Sequence, residues 1–599
     1  MCRIAGIHQP QHPNLPAAIQ RMCDALQHGG PDDAGGYLDD QYPLALGHRR
    51  LAIIDLSAAG HQPMADHPHG LQITFNGEIY NYKALRTELI EAGYTFQSQS
   101  DTEVLLKAYA HWGTDSFERL NGMFAFALLD QRRNELLLVR DHAGIKPLYY
   151  HQHHTTLVFA SEIRAFRAYD PNWAERADWR TYFLTFGHLP EPVTTLQGVQ
   201  PLPAGHYYRY DLRAQTGQAY RYTQEEYQPT LHDRSAAIAA VRKTLQESMH
   251  RQLVADVPVG LFLSGGLDSS VLTLAAKAEL GDRLRTTSII FDEPAYTEKA
   301  YQDLVIEASG ARNEAHTLTS AEFELDFEDI MAAMDQPTND GINSYFVCKY
   351  ARQSGLTVAL SGLGADELLG GYPSFQYARY LPYLRSLAPL VLRQMQGMEA
   401  DRWRKIAFLS LPGAVGEYLF YRGMHLPATT ARLTGQNEAA VWKTLEDFAA
   451  DCANPALTGG NRVSWIEQHF YMRNQLLKDT DAMSMWHSLE VRVPYLDKEF
   501  LRCIRSIAPN VKFHGAHPKE LLIQAFYQEL PRGVWDRPKK GFTFPFAEWF
   551  RHSERLRAAP PQFAALREQF LQKRLSWARL WVAYLAMQPL AVAAGPPVF

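Results

Sequence analysis

The chain has 599 residues, 46% of them hydrophobic and 21% charged, and a net charge of -6 from 59 lysines and arginines against 65 acids. That length is beyond one hydrophobic core, so about two to four domains are expected, and the ordinary globular composition excludes a disordered or fibrous chain. No run of like charge offers a phosphate-backbone or anionic-membrane footprint, so neither nucleic acid nor a membrane is expected as a partner.

The longest apolar run near the end, 580–587, is too short to cross a bilayer, and Arg3 and His8-Gln9 interrupt the first apolar segment. Neither a membrane span nor a signal peptide is expected, and the location reads as cytoplasmic. Five cysteines, at 2, 23, 348, 452 and 503, lie far apart with no CxxC pair, which argues against a disulfide framework or a zinc site.

Residues 1–210 read as short strands with flanking helices, an α+β pattern. Strands are expected over 44–55, 71–75, 123–130, 135–139 and 157–160, with helical periodicity over 15–26, 82–92 and 102–112. Residues 211–235 turn polar and read as a linker. A different rhythm fills 236–599. A helix is expected over 235–254, a buried strand over 257–263, a helix over 269–280, a strand over 286–291 and a helix over 297–309. A helix over 345–353 and a strand over 356–360 follow. Strands alternating with helices predict a doubly wound parallel sheet, and beyond residue 375 helices dominate.

Several short fragments carry chemistry or ordinary turns. Cys2 follows the initiator methionine; once that residue is removed, its α-amine lies beside its own thiol and can serve as its base. Taken alone, a cysteine at position 2 is usually an accident of a frayed terminus. Asn76-Gly77 between apolar runs is a hairpin signal. Ser100-Asp101-Thr102-Glu103 reads as an N-cap with a capping-box acid. His151, His153 and His154 flank a hairpin turn and lack acid or cysteine partners for a metal. Trp577 and Trp581, four apart on one helical face, read as core.

Taken in order, Met1-Cys2, Gly30-Pro31-Asp32, Arg50-Leu51, Asn76-Gly77-Glu78-Ile79-Tyr80-Asn81, Ser100-Asp101 and the stretch from Arg140-Asp141 to Leu148-Tyr149 resemble the class II glutamine amidotransferase domain. The resemblance implies an N-terminal nucleophile fold, an αββα sandwich. It implies that Cys2 attacks the glutamine amide while the Asn76 side chain and the Gly77 N–H hold the oxyanion. Arg50 would take the glutamine carboxylate, Glu78 and Asp101 its amide and α-ammonium end, and Ile54 would join them in binding glutamine. Where the family shows Arg-Gly-Pro-Asp, this chain has Gly29-Gly30-Pro31-Asp32, and that loop is expected to lose a donor.

A buried strand then opens into Leu263-Ser264-Gly265-Gly266-Leu267-Asp268-Ser269, a Gly-rich turn whose N–H groups and following helix suit phosphate. It is not a Walker A loop. It looks like the pyrophosphate loop of ATP pyrophosphatases, which cleave ATP to AMP and pyrophosphate. The theme repeats at Ser361-Gly362-Leu363-Gly364-Ala365-Asp366. By resemblance Asp268 and Asp366 would hold Mg²⁺, which prefers one or two carboxylates beside phosphate oxygens. Leu263, Ser264, Gly265, Gly266, Ser269, Ile289, Ser361 and Gly362 would contact ATP. Met483-Ser484-Met485, Glu490-Val491-Arg492-Val493-Pro494 and Pro518-Lys519-Glu520 resemble the C-terminal half of asparagine synthetases, with Lys519 over the developing phosphate charge.

The reading is a glutamine-hydrolysing amide synthetase that acts on small molecules only: glutamine, ATP and a carboxylate. A homodimer stays open, and an internal passage for ammonia between the two sites is expected. An RNA-modifying ATP pyrophosphatase would want a cysteine pair or a basic patch, and neither is present. A non-catalytic scaffold would have no need of Cys2, Asn76, Asp268 and Asp366. Aspartate is the family's default acceptor, but two departures point away from it. Leu363 stands where the family carries glutamate, and 335–344 lacks the family's arginine. A larger carboxylate, on a sugar or a peptide-like metabolite, is expected to be amidated at least as well, unless Glu367 or Asp340 supplies the missing anion.

Overall fold

The computed structural model describes residues 2–224, 226–398, 401–538, 540–541, 543–557 and 561–589. Two six-stranded antiparallel sheets form the N-terminal half. The first runs Gln200–Pro201, Tyr149–His153, Thr156–Ala160, Arg3–His8, Leu44–Arg50, Asp33–Leu38 from edge to edge. The second runs Thr216–Arg221, His206–Asp211, Glu135–Arg140, Gly122–Asp130, Leu71–Ile79, Met64–Asp66.

Side-chain alternation explains why these sheets stack. Along Gly122–Asp130 every residue is buried, so the strand reads as a continuous apolar run, yet its two faces serve different cores. Ala125, Ala127 and Leu129 meet Ile4, Leu44 and Leu46 of the first sheet. Phe124, Phe126 and Leu128 meet Leu85, Leu89 and Val104 on the helices Tyr82–Glu91 and Asp101–Trp112. On the other outer face Ala5 and Ile7 pack on the helices Leu15–Ala25 and Arg164–Tyr169 through Ile19, Met22 and Phe166. Period-two strands with both faces apolar thus build the four-layer αββα sandwich.

Three expectations shift. The strand expected over 44–55 ends at Arg50, because the Arg50 guanidinium turns back to Ser57 O at 3.0 Å and Asp55 O at 2.5 Å and ties 51–57 into a loop. Asn76-Gly77 is no turn: it lies inside Leu71–Ile79, opposite Ala125 and Phe124. The stretch expected as linker, 211–235, contributes the strand Thr216–Arg221 to the second sheet, and Thr230 and Leu231 already hydrogen-bond to Ser506 O in the other half. Its polar alternation belongs to an exposed edge strand rather than to free chain.

The second half contains a five-stranded parallel sheet in the order Arg312–Leu318, Arg285–Phe291, Val259–Phe262, Val358–Leu360, Glu490–Arg492. The chain winds outward from Val259–Phe262 one way and then the other, so the direction switches between that strand and Val358–Leu360. Such a switch point opens a crevice at the carboxyl ends of the two strands. Helices follow, and Trp581 is fully buried in their core while Trp577 packs on Phe546 at 4.8 Å. Residues 590–599 lie outside those described.

The halves meet across a buried charge cluster. Arg3, wholly buried beside Cys2, pairs with Glu162 at 2.5 Å and with Asp481 of the helix Leu477–Trp486 at 2.7 Å, and Lys146 also pairs with Asp481. Asp481→Ala would leave two buried cations with one fewer anion, so we expect about 3–5 kcal/mol lost in chemical denaturation. A loss under about 1 kcal/mol would mean that the cluster does not join the halves.

Candidate active sites

Cys2 lies at the foot of the central strand Arg3–His8, 8% exposed, with its thiol 3.9 Å from Leu51 O. Burial pushes the thiol up from its ordinary range, while the α-amine, the Leu51 carbonyl contact and Arg50 pull it back and Glu78 opposes them. The resting group is therefore a thiol that needs a base, and Arg50 and Glu78 lie close enough to act on its charge. Asn76 is fully buried, and neither its Oδ1 nor its Nδ2 has a hydrogen-bond partner among the described residues. Such a pair of orphaned atoms is costly unless a ligand meets them. A Cβ on Gly77 would lie 2.2 Å from Met123 O, so only glycine lets this backbone pass so close to the next strand.

Glu78 and Asp101 are both buried. Burial, then Glu490 and Asp101, pushes the Glu78 carboxyl well above the usual range, with Arg492 opposing. Burial raises Asp101 to about 6 although the Ile79 N–H donates to its Oδ2 at 2.9 Å. Ser100 caps the helix through the Thr102 N–H, but the expected capping box is absent: the Glu103 carboxylate instead takes the Gln97 and Ser98 N–H groups. The Ile54 side chain packs on an apolar core that holds Leu51, Ile53 and Met123 of this half together with residues of the second half.

Gly29 packs closely against the Arg3 side chain. A Cβ on Gly29 would lie 2.6 Å from Arg3 Cγ and 2.9 Å from Arg3 Nε, so the room that a side chain at 29 would need is filled by the Arg3 guanidinium. The Arg3 guanidinium beside the loop is itself paired with Glu162 and Asp481.

At the switch-point crevice lies a cavity of about 310 Å³. Leu263, Ser264, Gly266, Asp268, Ser269, Ile289, Ser361, Gly362, Asp366 and Lys519 all line it, and Gly265 sits in the same turn with its carbonyl accepting from Arg537 at 2.9 Å. Gly265 has φ +80, which glycine adopts without strain. The Ser269 hydroxyl ties the turn by hydrogen bonds to Ser264 and to Gly266 O. Lys519 donates to Asp268 Oδ1 and to Asp366 Oδ1, both at 2.6 Å, so two carboxylates from different strand ends converge on one cation. Its ammonium is held well above its ordinary range by those acids against the cost of burial. Lys519 also adopts φ +58, a left-handed backbone that costs a non-glycine residue energy and here aims the side chain into the crevice.

That convergence suits Mg²⁺, which takes few carboxylates and completes its shell with phosphate and water oxygens. Among the described residues no group of three or more His, Cys, Asp or Glu forms a protein-only metal cage. Sequence reasoning missed Arg537, Lys540 and Thr480, which also line the cavity. The basic, Gly-containing run Arg537-Pro538-Lys539-Lys540-Gly541 was the available signal; Lys539 lies outside the described residues. Leu363 and Glu367 line the cavity as well, whereas Asp340 does not.

Comparison with known proteins gives two family matches: a glutamine amidotransferase domain over residues 1–223 and asparagine synthase over residues 240–581. Asparagine synthetase [glutamine-hydrolyzing] 1 of Bacillus subtilis (strain 168) is 31% identical, across 92% of this chain and 88% of its own. A putative asparagine synthetase [glutamine-hydrolyzing] of Mycobacterium bovis is 31% identical with the same coverage. Amidase chry2 of Gibberella zeae is 26% identical across 92% of this chain and 90% of its own.

Proposed function

The chain belongs to the asparagine synthetase family of glutamine-hydrolysing, ATP-using ligases, and we propose that, with ammonia released at Cys2, it amidates a carboxylate larger than aspartate at least as well as aspartate, the family default. In this reading the Cys2 thiolate attacks the glutamine amide carbon, the α-amine having taken the thiol proton. Asn76 Nδ2 and the Gly77 N–H donate to the oxyanion, which accounts for the orphaned Asn76 Nδ2. Arg50, Glu78 and Asp101 hold the amino-acid end of glutamine.

In the crevice the acceptor carboxylate oxygen attacks the α-phosphorus of ATP and pyrophosphate leaves; ammonia then displaces AMP from the acyl carbon. Asp268 and Asp366 would hold Mg²⁺, which supplies charge neutralisation at the phosphates. The turn 263–269, Ile289 and the Ser361-Gly362 loop bind the nucleotide. Lys519, released from one acid, meets the developing phosphate charge. The ammonia route runs inside the protein between the halves, where free ammonia is kept from protonation. No helix among the described residues is long and apolar enough to cross a membrane.

Leu363 carries the choice of acceptor. It lines the cavity where an acceptor ammonium would need an anion, and an unpaired buried charge is costly. Glu367 is a poor substitute: burial raises it to about 7, and its carboxylate already accepts from the Tyr372 hydroxyl at 2.8 Å. Asp340, raised by burial to about 7, lies outside the cavity wall. The Gibberella zeae relative named an amidase supports an acceptor outside aspartate. A competition of aspartate against a library of sugar acids and peptide-like carboxylates, read as pyrophosphate release, tests this. We expect at least one larger carboxylate to match or exceed aspartate, and Leu363→Glu to improve aspartate use. Efficient, exclusive conversion of aspartate to asparagine would refute the reading.

A further inference from the structure

The strand Glu490–Arg492 is at the edge of the parallel sheet, yet all of it is buried, because it faces the amidotransferase half. Its main chain and its side chain serve different sites. The Arg492 carbonyl accepts from the Ser361 N–H at 2.8 Å, the first residue of the second nucleotide loop. The Arg492 guanidinium is held from behind, with NH1 donating to Gln252 O and Val254 O at 2.7 Å each and Nε to Glu490 Oε1 at 2.5 Å. Its NH2 makes no hydrogen bond among the described residues and faces Glu78 Oε1 at 3.7 Å, with the guanidinium 5.7 Å from the Tyr80 ring centre. A guanidinium anchored on three sides with one edge open is a fixed charge, not a mobile one.

We propose that Arg492 is a positioning residue of the glutamine site, anchored in the synthetase sheet and holding the Glu78 carboxylate toward the α-ammonium of glutamine. The proposal rests on the reading of Glu78 as a glutamine ligand. Its physical ground is that three buried carboxyls, Glu78, Asp101 and Glu490, share this region, and the buried guanidinium of Arg492 faces Glu78 at 3.7 Å. Without Arg492 the three cannot all stay ionised, and Glu78 loses the charge that glutamine needs. The same strand is bonded to Ser361, so a residue of the nucleotide half sets affinity at the other catalyst.

The test uses the full chain in a glutaminase assay with glutamine varied. Arg492→Met should raise the glutamine KM about tenfold or more while kcat stays within about threefold, and Arg492→Lys should fall between. The acid-side rise of KM should also move to higher pH in Arg492→Met, as Glu78, flanked by Asp101, Glu490 and the α-amine, takes up a proton sooner; a purely structural role would not move it. In a Glu78→Gln background Arg492→Met should add nothing. An unchanged KM in the Arg492 variants, or an equal rise in both backgrounds, would overturn the proposal. Should Arg492→Met not fold, Arg492→Lys carries the same comparisons. A silent Glu78→Gln removes the reading of Glu78 and this proposal with it, whereas a Glu78→Gln effect with silent Arg492 variants removes this proposal alone.

Discussion

Replacing Cys2 by alanine abolishes glutamine-supported amidation by at least about 10⁴-fold and leaves synthesis from added ammonium standing, because a lost nucleophile has no substitute within reach. Both halves of that result matter. The thiol is buried and pushed up by burial, so no nearby hydroxide or second thiol replaces it; Cys23, at the far side of the strand Leu44–Arg50, is packed in a separate apolar core. The adenylating crevice draws none of its lining from the strand that carries Cys2. The measurement is product formation with glutamine and with ammonium in parallel, alongside thermal unfolding. A folded variant that loses both activities would show that Cys2 does more than open the glutamine amide. Because Arg3 joins the next residue to Asp481, the unfolding control tells an interface defect from a chemical one.

The second large effect lies in the crevice. Asp268→Asn, Asp366→Asn and Lys519→Ala should each cut pyrophosphate formation about a thousandfold while glutamine hydrolysis persists. The three should differ in how they fail. Each aspartate change removes an anion facing the metal and triphosphate, so the Mg²⁺ concentration needed for half-maximal rate should rise. Lys519→Ala leaves both carboxylates in place with no lysine between them, so the rate falls without a higher Mg²⁺ requirement. A Mg²⁺ titration of all three variants reads the difference. Identical Mg²⁺ curves would place Lys519 and the acids in one role, and ADP with orthophosphate as products would sink adenylation altogether.

The sequence by itself determined the two catalytic halves and the residues that open each motif. Apolar runs of the right period marked strands such as Gly122–Asp130, Glu135–Arg140 and Arg285–Phe291 within a few residues, since burial on one or both faces leaves a mark along the chain. They left Arg3–His8, Arg312–Leu318 and Glu490–Arg492 unmarked. Cys2, Asn76-Gly77-Glu78, Ser264-Gly265-Gly266-Leu267-Asp268 and Ser361-Gly362 were legible as motifs because each needs particular residue types at short spacing. Local reading failed where distant strands decide a residue's surroundings. Asn76-Gly77 carries the chemistry of a turn, and only the strand Gly122–Asp130 beside it makes it a mid-strand close approach. Thr216–Arg221 is polar because it lies at a sheet edge, a property of its neighbours and not of its own letters. The same holds for charge. No spacing relates Lys519 to Asp268 and Asp366, Arg3 to Asp481, or Arg492 to Glu78, and all three associations join residues more than 150 positions apart. Burial there removes the water that would otherwise screen each charge, so which ion meets which is decided only when the two halves close on one another.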